Sequence, residues 1–343
     1  MTFTGVSLTI RYLRWMIPNV EKIGIYGNGN FMWPAFFLLL TGCPMSPNSS
    51  SVTIAEPEKN GEAISFLGET FFCPEVDSTT FFHQDSLLQE AYTIYQTDTN
   101  DLNSIIWYGR RLASMYRFRD AITIFSAGIG HHPDAPELYR HRGQMYIITR
   151  HPDPAIADFQ KAANLSSDRM IETEPDAMPN KLDLPLTNLR FNIYYHLGLA
   201  WYLKGDYLKA VEAFSACVPF AINPDLKVAE TYWLYLSFQN MGEDVSAFSL
   251  LSPIDPNVEI IENDAYLRSL LMFRSSMDAD DLTDSILDAA SDPIELFGIA
   301  NWYTWKNKLS DASTIRRKIL SSTDWTNPGY IAAEADSSRL LVQ

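Results

Sequence analysis

Residues 105–128, IIWYGRRLASMYRFRDAITIFSAG, and residues 139–162, YRHRGQMYIITRHPDPAIADFQKA, carry the same pattern of small and aromatic residues 34 positions apart. Gly109, Ala121, Phe125 and Gly128 in the first stretch become Gly143, Ala155, Phe159 and Ala162 in the second. An apolar residue stands four positions before each glycine (Ile105, Tyr139), and another three positions after it (Leu112, Tyr146). The pattern returns at Tyr194, Leu197, Gly198, Trp201, Ala210, Phe214 and Cys217. Apolar spacings of three and four predict amphipathic helices, two per period. The glycine and the later alanine let the two helices touch, and the aromatics fill the space around that contact. One such hairpin cannot bury its apolar face alone, so a fixed period predicts a stack.

Working outward, Thr231, Leu234, Tyr235, Phe238, Gly242 and Ala247 fit a fourth unit, with Tyr235 where the small residue stood. Residues 264–290 read as a degenerate pair, and Leu296, Ile299, Ala300, Tyr303 and Ala312 as a sixth. Residues 328–341 suit a capping helix, and residues 85–95 a helix that caps the first unit. The second and third glycines are 55 apart instead of 34. The excess falls at residues 165–189, whose prolines and acids predict an irregular insertion.

The period and residue types resemble the tetratricopeptide repeat: Trp-x2-Leu-Gly-x2-Tyr, then Ala-x3-Phe-x2-Ala, then Pro. The prolines are present as Pro133, in the expected slot, and Pro224, two residues late. The resemblance implies an all-α fold, helical hairpins stacked in a right-handed superhelix over residues 85–343. It also implies that the first helix of each repeat lines a concave groove, with its fifth and ninth positions pointing inward. Those positions are Ile106 and Arg110, Arg140 and Gln144, and Tyr195 and Leu199. Some family members hold a peptide's C-terminal carboxylate there with Lys, Asn and Arg. This chain keeps Arg110, Arg140 and Gln144 but lacks the asparagine and the third-repeat cations. Arg110, Arg140, Gln144 and Tyr195 are therefore the candidate groove residues.

The N-terminus reads as a targeting segment. Residues 31–40, FMWPAFFLLL, carry no charge. They are too few to cross a bilayer but suit the apolar region of a signal peptide. The run ends Leu40-Thr41-Gly42-Cys43, which resembles the lipobox of bacterial lipoproteins, and residues 44–51 are polar and turn-prone, as a tether would be. The expected organisation is a signal over 1–42, a lipid on Cys43 with an extended tether over 43–84, and the array beyond. About 30 residues precede the apolar run, and translation from Met16 would give a signal of ordinary length. The resemblance places the protein in a bacterial cell envelope, held to a membrane by its lipid. A lipobox followed by such repeats is similar in plan to a bacterial lipoprotein that acts as an adaptor for cell-envelope proteases and peptidoglycan hydrolases.

The 343 residues include 42 acids and 26 bases, a formal net charge of −16. Such a balance argues against nucleic acid as a partner. Charge is uneven, however. Between Arg110 and His151 stand seven arginines and four histidines against Asp120, Asp134 and Glu137, whereas residues 243–295 hold 13 acids against Arg268 and Arg274. Two arginines at groove positions suit an acidic peptide or a phosphate; the alternative is that they are solvated or pair with the acidic C-terminal half or the insertion. Three cysteines exclude a disulfide scaffold and a four-cysteine zinc site. There is no P-loop, HExxH or Gly-x-Ser-x-Gly, so no metal, cofactor or catalytic residue is expected. Function then follows from shape: a membrane-tethered, non-catalytic scaffold that holds a peptide or helix of another protein, including anionic peptides or cell-envelope enzymes. Two alternatives stand beside it. One is a carbohydrate- or nutrient-binding lipoprotein, suggested by 8 Trp and 17 Tyr; the other is an enzyme using Glu172, Glu174 or Asp176 of the insertion.

Overall fold

A computed structural model describes residues 61–342, except 76, 172, 176–179, 181 and 278. Cys43 and the expected signal lie outside the described residues. Fourteen α-helices run along the described chain. The first is α1 (Ser78–Thr97), followed by the hairpins α2/α3 (Leu102–Ser114, Phe118–His131), α4/α5 (Pro136–Ile148, Pro152–Leu165) and α6/α7 (Leu189–Leu203, Tyr207–Cys217). Then come α8/α9 (Pro224–Asn240, Asp244–Leu251), α10/α11 (Asp264–Ser275, Asp284–Ala289) and α12/α13 (Pro293–Trp305, Leu309–Leu320), and finally α14 (Pro328–Val342). Apart from the short α11, each helix packs on a neighbour in sequence, as a tetratricopeptide-like solenoid requires.

The repeat residues meet as their spacing implies. A Cβ added to Gly109 would fall 2.3 Å from the ring of Phe125; at Gly143 it would fall 2.8 Å from Phe159, and at Gly198 2.6 Å from Phe214. The ring of each second helix thus lies against the bare backbone of the first. Ala121, Ala155 and Ala210 are fully buried beside it.

The turns inside the hairpins repeat as well. Tyr116, Arg150, Gly205, Gly242 and Asn307 each take a left-handed φ between 59° and 76°. The next residue donates its N–H back to the carbonyl five positions earlier (Arg117 to Leu112, His151 to Tyr146, Asp206 to Trp201, Glu243 to Phe238, Lys308 to Tyr303). This is the Schellman arrangement, which satisfies the open carbonyls of a helix end. Glycine suits that φ best, yet three of the five positions carry a side chain, at a cost of about 1–2 kcal/mol each.

Two sequence expectations need correction. The capping helix starts at Ser78, seven residues before Asp85, because the Asp77 carboxylate accepts from the N–H groups of Thr79 and Thr80, both at 3.0 Å. The described part of the expected tether is structured too. Antiparallel β1 (Ala63–Ile64) and β2 (Thr70–Phe71) form a short hairpin that packs on the C-terminal segment. Phe71 stacks on Trp325 at 5.0 Å, and the Trp325 indole N–H donates to the Phe72 carbonyl at 3.0 Å.

That contact belongs to a larger closure. Helix α14 packs on α12 and α13, its sequence neighbours, and also on α6. The Arg150 guanidinium donates to Glu334 Oε2 through Nη2 at 2.9 Å and Nε at 3.2 Å, and to the Trp325 carbonyl at 2.8 Å. It lies over the rings of Phe71 (4.9 Å) and Trp325 (5.6 Å), and Glu334 also accepts from the Phe66 N–H. Further along α14, Arg339 reaches the Leu203 carbonyl and Asp336. The rear of the array is filled in consequence. Helix α12, buried on nearly every face, lies against α8, α10 and α14, and Tyr202, Tyr232 and Trp233 have no exposed surface.

Three glycines separate packing from propensity. Gly329 of α14 sits so close to α12 that a Cβ would fall 2.4 Å from the Pro293 carbonyl oxygen, a backbone atom that cannot swing aside. Gly143 meets only a ring, and Gly130 meets nothing within 4 Å. In urea unfolding, Gly329→Ala is expected to lose about 3 kcal/mol or more and Gly143→Ala about 1 kcal/mol, while Gly130→Ala gains up to about 1 kcal/mol of helix propensity. Equal effects at Gly329 and Gly130 would contradict the close helix contact.

Candidate functional site

Helices α2, α4 and α6 present successive turns to the concave side, so residues four apart on each share a face. Arg110 of α2, Arg140 and Gln144 of α4, and Asn192 and His196 of α6 thereby line one cleft of about 680 Å3. Phe81 and Gln84 of α1 form one wall, and Glu174, Pro175 and Thr187 of the insertion form another. Three of the four groove candidates meet here. The fourth does not: Tyr195 is 8% exposed, and its hydroxyl lies 2.9 Å from the Tyr266 hydroxyl and accepts from the Trp233 indole N–H at 2.9 Å. Leu199 is buried as well. These third-repeat positions are thus closed to the cleft.

Arg140 is the centre of the cleft. Its guanidinium donates to Gln144 Oε1 at 3.2 Å and to His141 Nδ1 at 2.6 Å, and it pairs with Glu174 at 3.3 Å. Arginine has no acceptor, so His141 must accept at Nδ1 and carry its proton on Nε2. That neutral state is reinforced from two sides: burial pushes the His141 pKa well below the usual imidazole value, and the charges of Arg140 and Arg110 push it further. Burial, with the charge of Arg140, brings His196 down to about 3. The two histidines stand two residues before Gly143 and Gly198, and stack on Phe125 and Phe159 of the preceding hairpins. Their equal place in the repeat was the sequence signal for them, and the sequence reading passed over it. Positive charge in the cleft therefore comes from Arg110 and Arg140, with the imidazoles as neutral polar walls.

Most of the cationic excess at the front is answered within the chain. Arg142 forms a fork with both oxygens of Asp158 at 2.8 and 2.7 Å on the side away from the cleft. Arg117 pairs with Asp120, and Arg150 is taken by Glu334. The arginines of this stretch that line the cleft are Arg110 and Arg140.

Residues named for the alternative functions are placed as follows. Glu172 and Asp176 lie outside the described residues. The Glu174 carboxylate is held by Arg140 and accepts from the Asn192 side chain. Much of the aromatic surplus is core. No group of three or more metal-ligating side chains occurs among the described residues, and none of their helices is long and apolar enough to cross a membrane. Cys217 is buried against the Phe191 carbonyl, Cys73 is exposed, and both are free thiols.

The neutral histidines set a pH dependence. His196 has its pKa lowered by folding, so the unfolded chain binds a proton that the native state refuses as pH drops below about 6.5. Stability is expected to fall from about pH 6.5 towards pH 3, by up to about 1.4 kcal/mol per pH unit for this one group. His196→Gln should flatten the slope in urea melts at pH 4–7; an unchanged slope would show that His196 does not contribute to it.

No protein-family model matches the chain, and no curated protein matches it by sequence. A solved structure described as "Structure of Naa15/Naa10 bound to HypK-THB" is similar over 74% of this chain at 13% identity, with a TM-score of 0.34. The chain spans 38% of that protein's length.

Proposed function

We propose that the protein is a non-catalytic interaction scaffold. It holds an extended, acidic segment of another protein in the cleft of its first two repeats and is tethered to a bacterial membrane by a lipid on Cys43. One observation carries the binding role. Arg110 and Arg140 converge on a cleft with one wall of polar side chains and one of apolar ones, and a piece of polypeptide already lies in it. A guanidinium pair in a partly enclosed groove favours carboxylates through charge-assisted hydrogen bonds. The apolar wall of Phe81, Met115, Phe118 and Met145 would take the neighbouring side chains. The tether rests on the Leu-Thr-Gly-Cys sequence alone.

A photoreactive amino acid placed at Ile106 or Gln144 in the native host is expected to yield a discrete adduct with another protein. The adduct should vanish when Arg110→Glu and Arg140→Glu are combined. Adducts indifferent to that charge reversal, or found only from Leu309 on the outer face, would contradict the cleft as the binding surface. Labelled palmitate should enter the wild-type protein and not Cys43→Ala; incorporation that survives the substitution would refute the anchor.

A further inference from the structure

The insertion between α5 and α6 does not simply loop away from the array. Its described residues Thr173, Glu174 and Pro175 cross the cleft. Thr173 bridges to Asn188 in antiparallel fashion, and the Glu174 N–H donates to the Thr187 carbonyl at 2.9 Å, so the segment is extended and fixed at its backbone. From that position the Glu174 carboxylate reaches Arg140 at 3.3 Å and accepts from Asn192. The next residue offers its carbonyl to Arg110. The two arginines at groove positions, on different helices of different repeats, are thus both engaged by consecutive residues of one segment. The segment also divides the groove. On its far side lies a second hollow of about 510 Å3, and Arg110, His141, Glu174 and Pro175 line both.

These contacts are those a bound acidic peptide would make. A carboxylate sits on a guanidinium and a side-chain amide, and a proline, which has no N–H to satisfy, gives only its carbonyl. A segment covalently attached near its site acts at an effective concentration up to the millimolar range. Any partner using the same subsite must compete with it, and its apparent affinity falls by the fraction of time the site is empty.

Resting on the reading of the cleft as a partner-binding groove, we propose that Glu174–Pro175 is a built-in competitor. The structure represents the self-occupied state, and the partner is an extended segment with a Glu or Asp side chain, followed by a residue that offers its carbonyl, which displaces it. The specificity is for an internal acidic side chain, since it is a side-chain carboxylate that lies on Arg140. Displacement opens the bar between the two hollows and gives the partner one continuous groove.

The test uses the full chain and a fluorescent peptide, amidated at its C-terminus, with the sequence of residues 170–176, Met-Ile-Glu-Thr-Glu-Pro-Asp. Binding is read by anisotropy at low and high salt, after circular dichroism shows each variant folded. Wild type should bind weakly. Glu174→Gln and Glu174→Ala, which remove the competitor's charge, should each bind at least tenfold tighter. The gain should disappear when Arg140→Gln is added; Arg110→Gln serves if the buried Arg140 variant does not fold. If neither Glu174 variant binds more tightly than wild type, the competitor is overturned. Equal binding that is lost in Arg110→Glu/Arg140→Glu would overturn it while leaving the groove reading intact. Failure of every folded variant to bind would overturn the competitor too, and the groove would then rest on the crosslinking result.

Discussion

The Arg150–Glu334 pair joins the second hairpin to the C-terminal helix across 184 residues of chain, with both side chains almost wholly out of solvent. A charge buried to that degree is costly unless its partner and its remaining hydrogen-bonding positions are supplied. Here they are: Glu334 and the Trp325 carbonyl take the guanidinium's protons, and the Phe66 N–H takes an oxygen of Glu334. The stacked rings of Phe71 and Trp325 flank the guanidinium at 4.9 and 5.6 Å. The pair therefore ties together three pieces far apart in sequence: the β1–β2 hairpin, the α4–α5 turn and α14. It also accounts for the left-handed backbone at Arg150, where glycine would sit more easily.

This closure decides where the solenoid remains available. An open array would expose first-helix faces along its whole length. In this chain α12 and α14 pack into the array, Trp233 of α8 and Tyr266 of α10 cover Tyr195, and Leu199 is buried, so these positions become core. The front, bounded by α1 and the insertion, keeps the cleft that holds Arg110 and Arg140, and a smaller hollow of about 450 Å3 lies among α10, α11 and α12. The chain's own contacts sort the charge as well: Asp120, Asp158 and Glu334 pair with arginines elsewhere, and the insertion supplies Glu174 to Arg140 and the Pro175 carbonyl to Arg110 within the cleft. Shape and electrostatics thus converge on one place, and the insertion lies across it.

The parts legible in the sequence are those held by contacts within one or two periods. Gly109 touches Phe125 and Gly143 touches Phe159, both 16 residues on, so the spacing itself records the packing. The helix-face argument that brings Arg140 and Gln144 together is equally local. Gly205 and Gly242 are glycines at left-handed turns, whereas Tyr116, Arg150 and Asn307 adopt the same φ with no glycine to announce it. Closure left no periodic trace, because its contacts link residues 136 or more apart. Tyr195, a groove residue by repeat position, instead bonds with Tyr266 and Trp233, 71 and 38 residues on, separations that the 34-residue period does not announce. Glu174 was noticed as an acid of the insertion, but its partners come from α4 and α6, and nothing in the local sequence points to them.

The central claim is that the array is held shut by the Arg150–Glu334 pair, and a double-mutant cycle measured by urea unfolding tests it most directly. Arg150→Met and Glu334→Leu, each leaving a buried charge without its partner, are expected to cost about 3–5 kcal/mol apiece. The double variant should recover most of that loss, because two apolar side chains of similar size replace the pair. Losses that simply add, or single variants that change stability by less than about 1 kcal/mol, would contradict a coupled, buried closure.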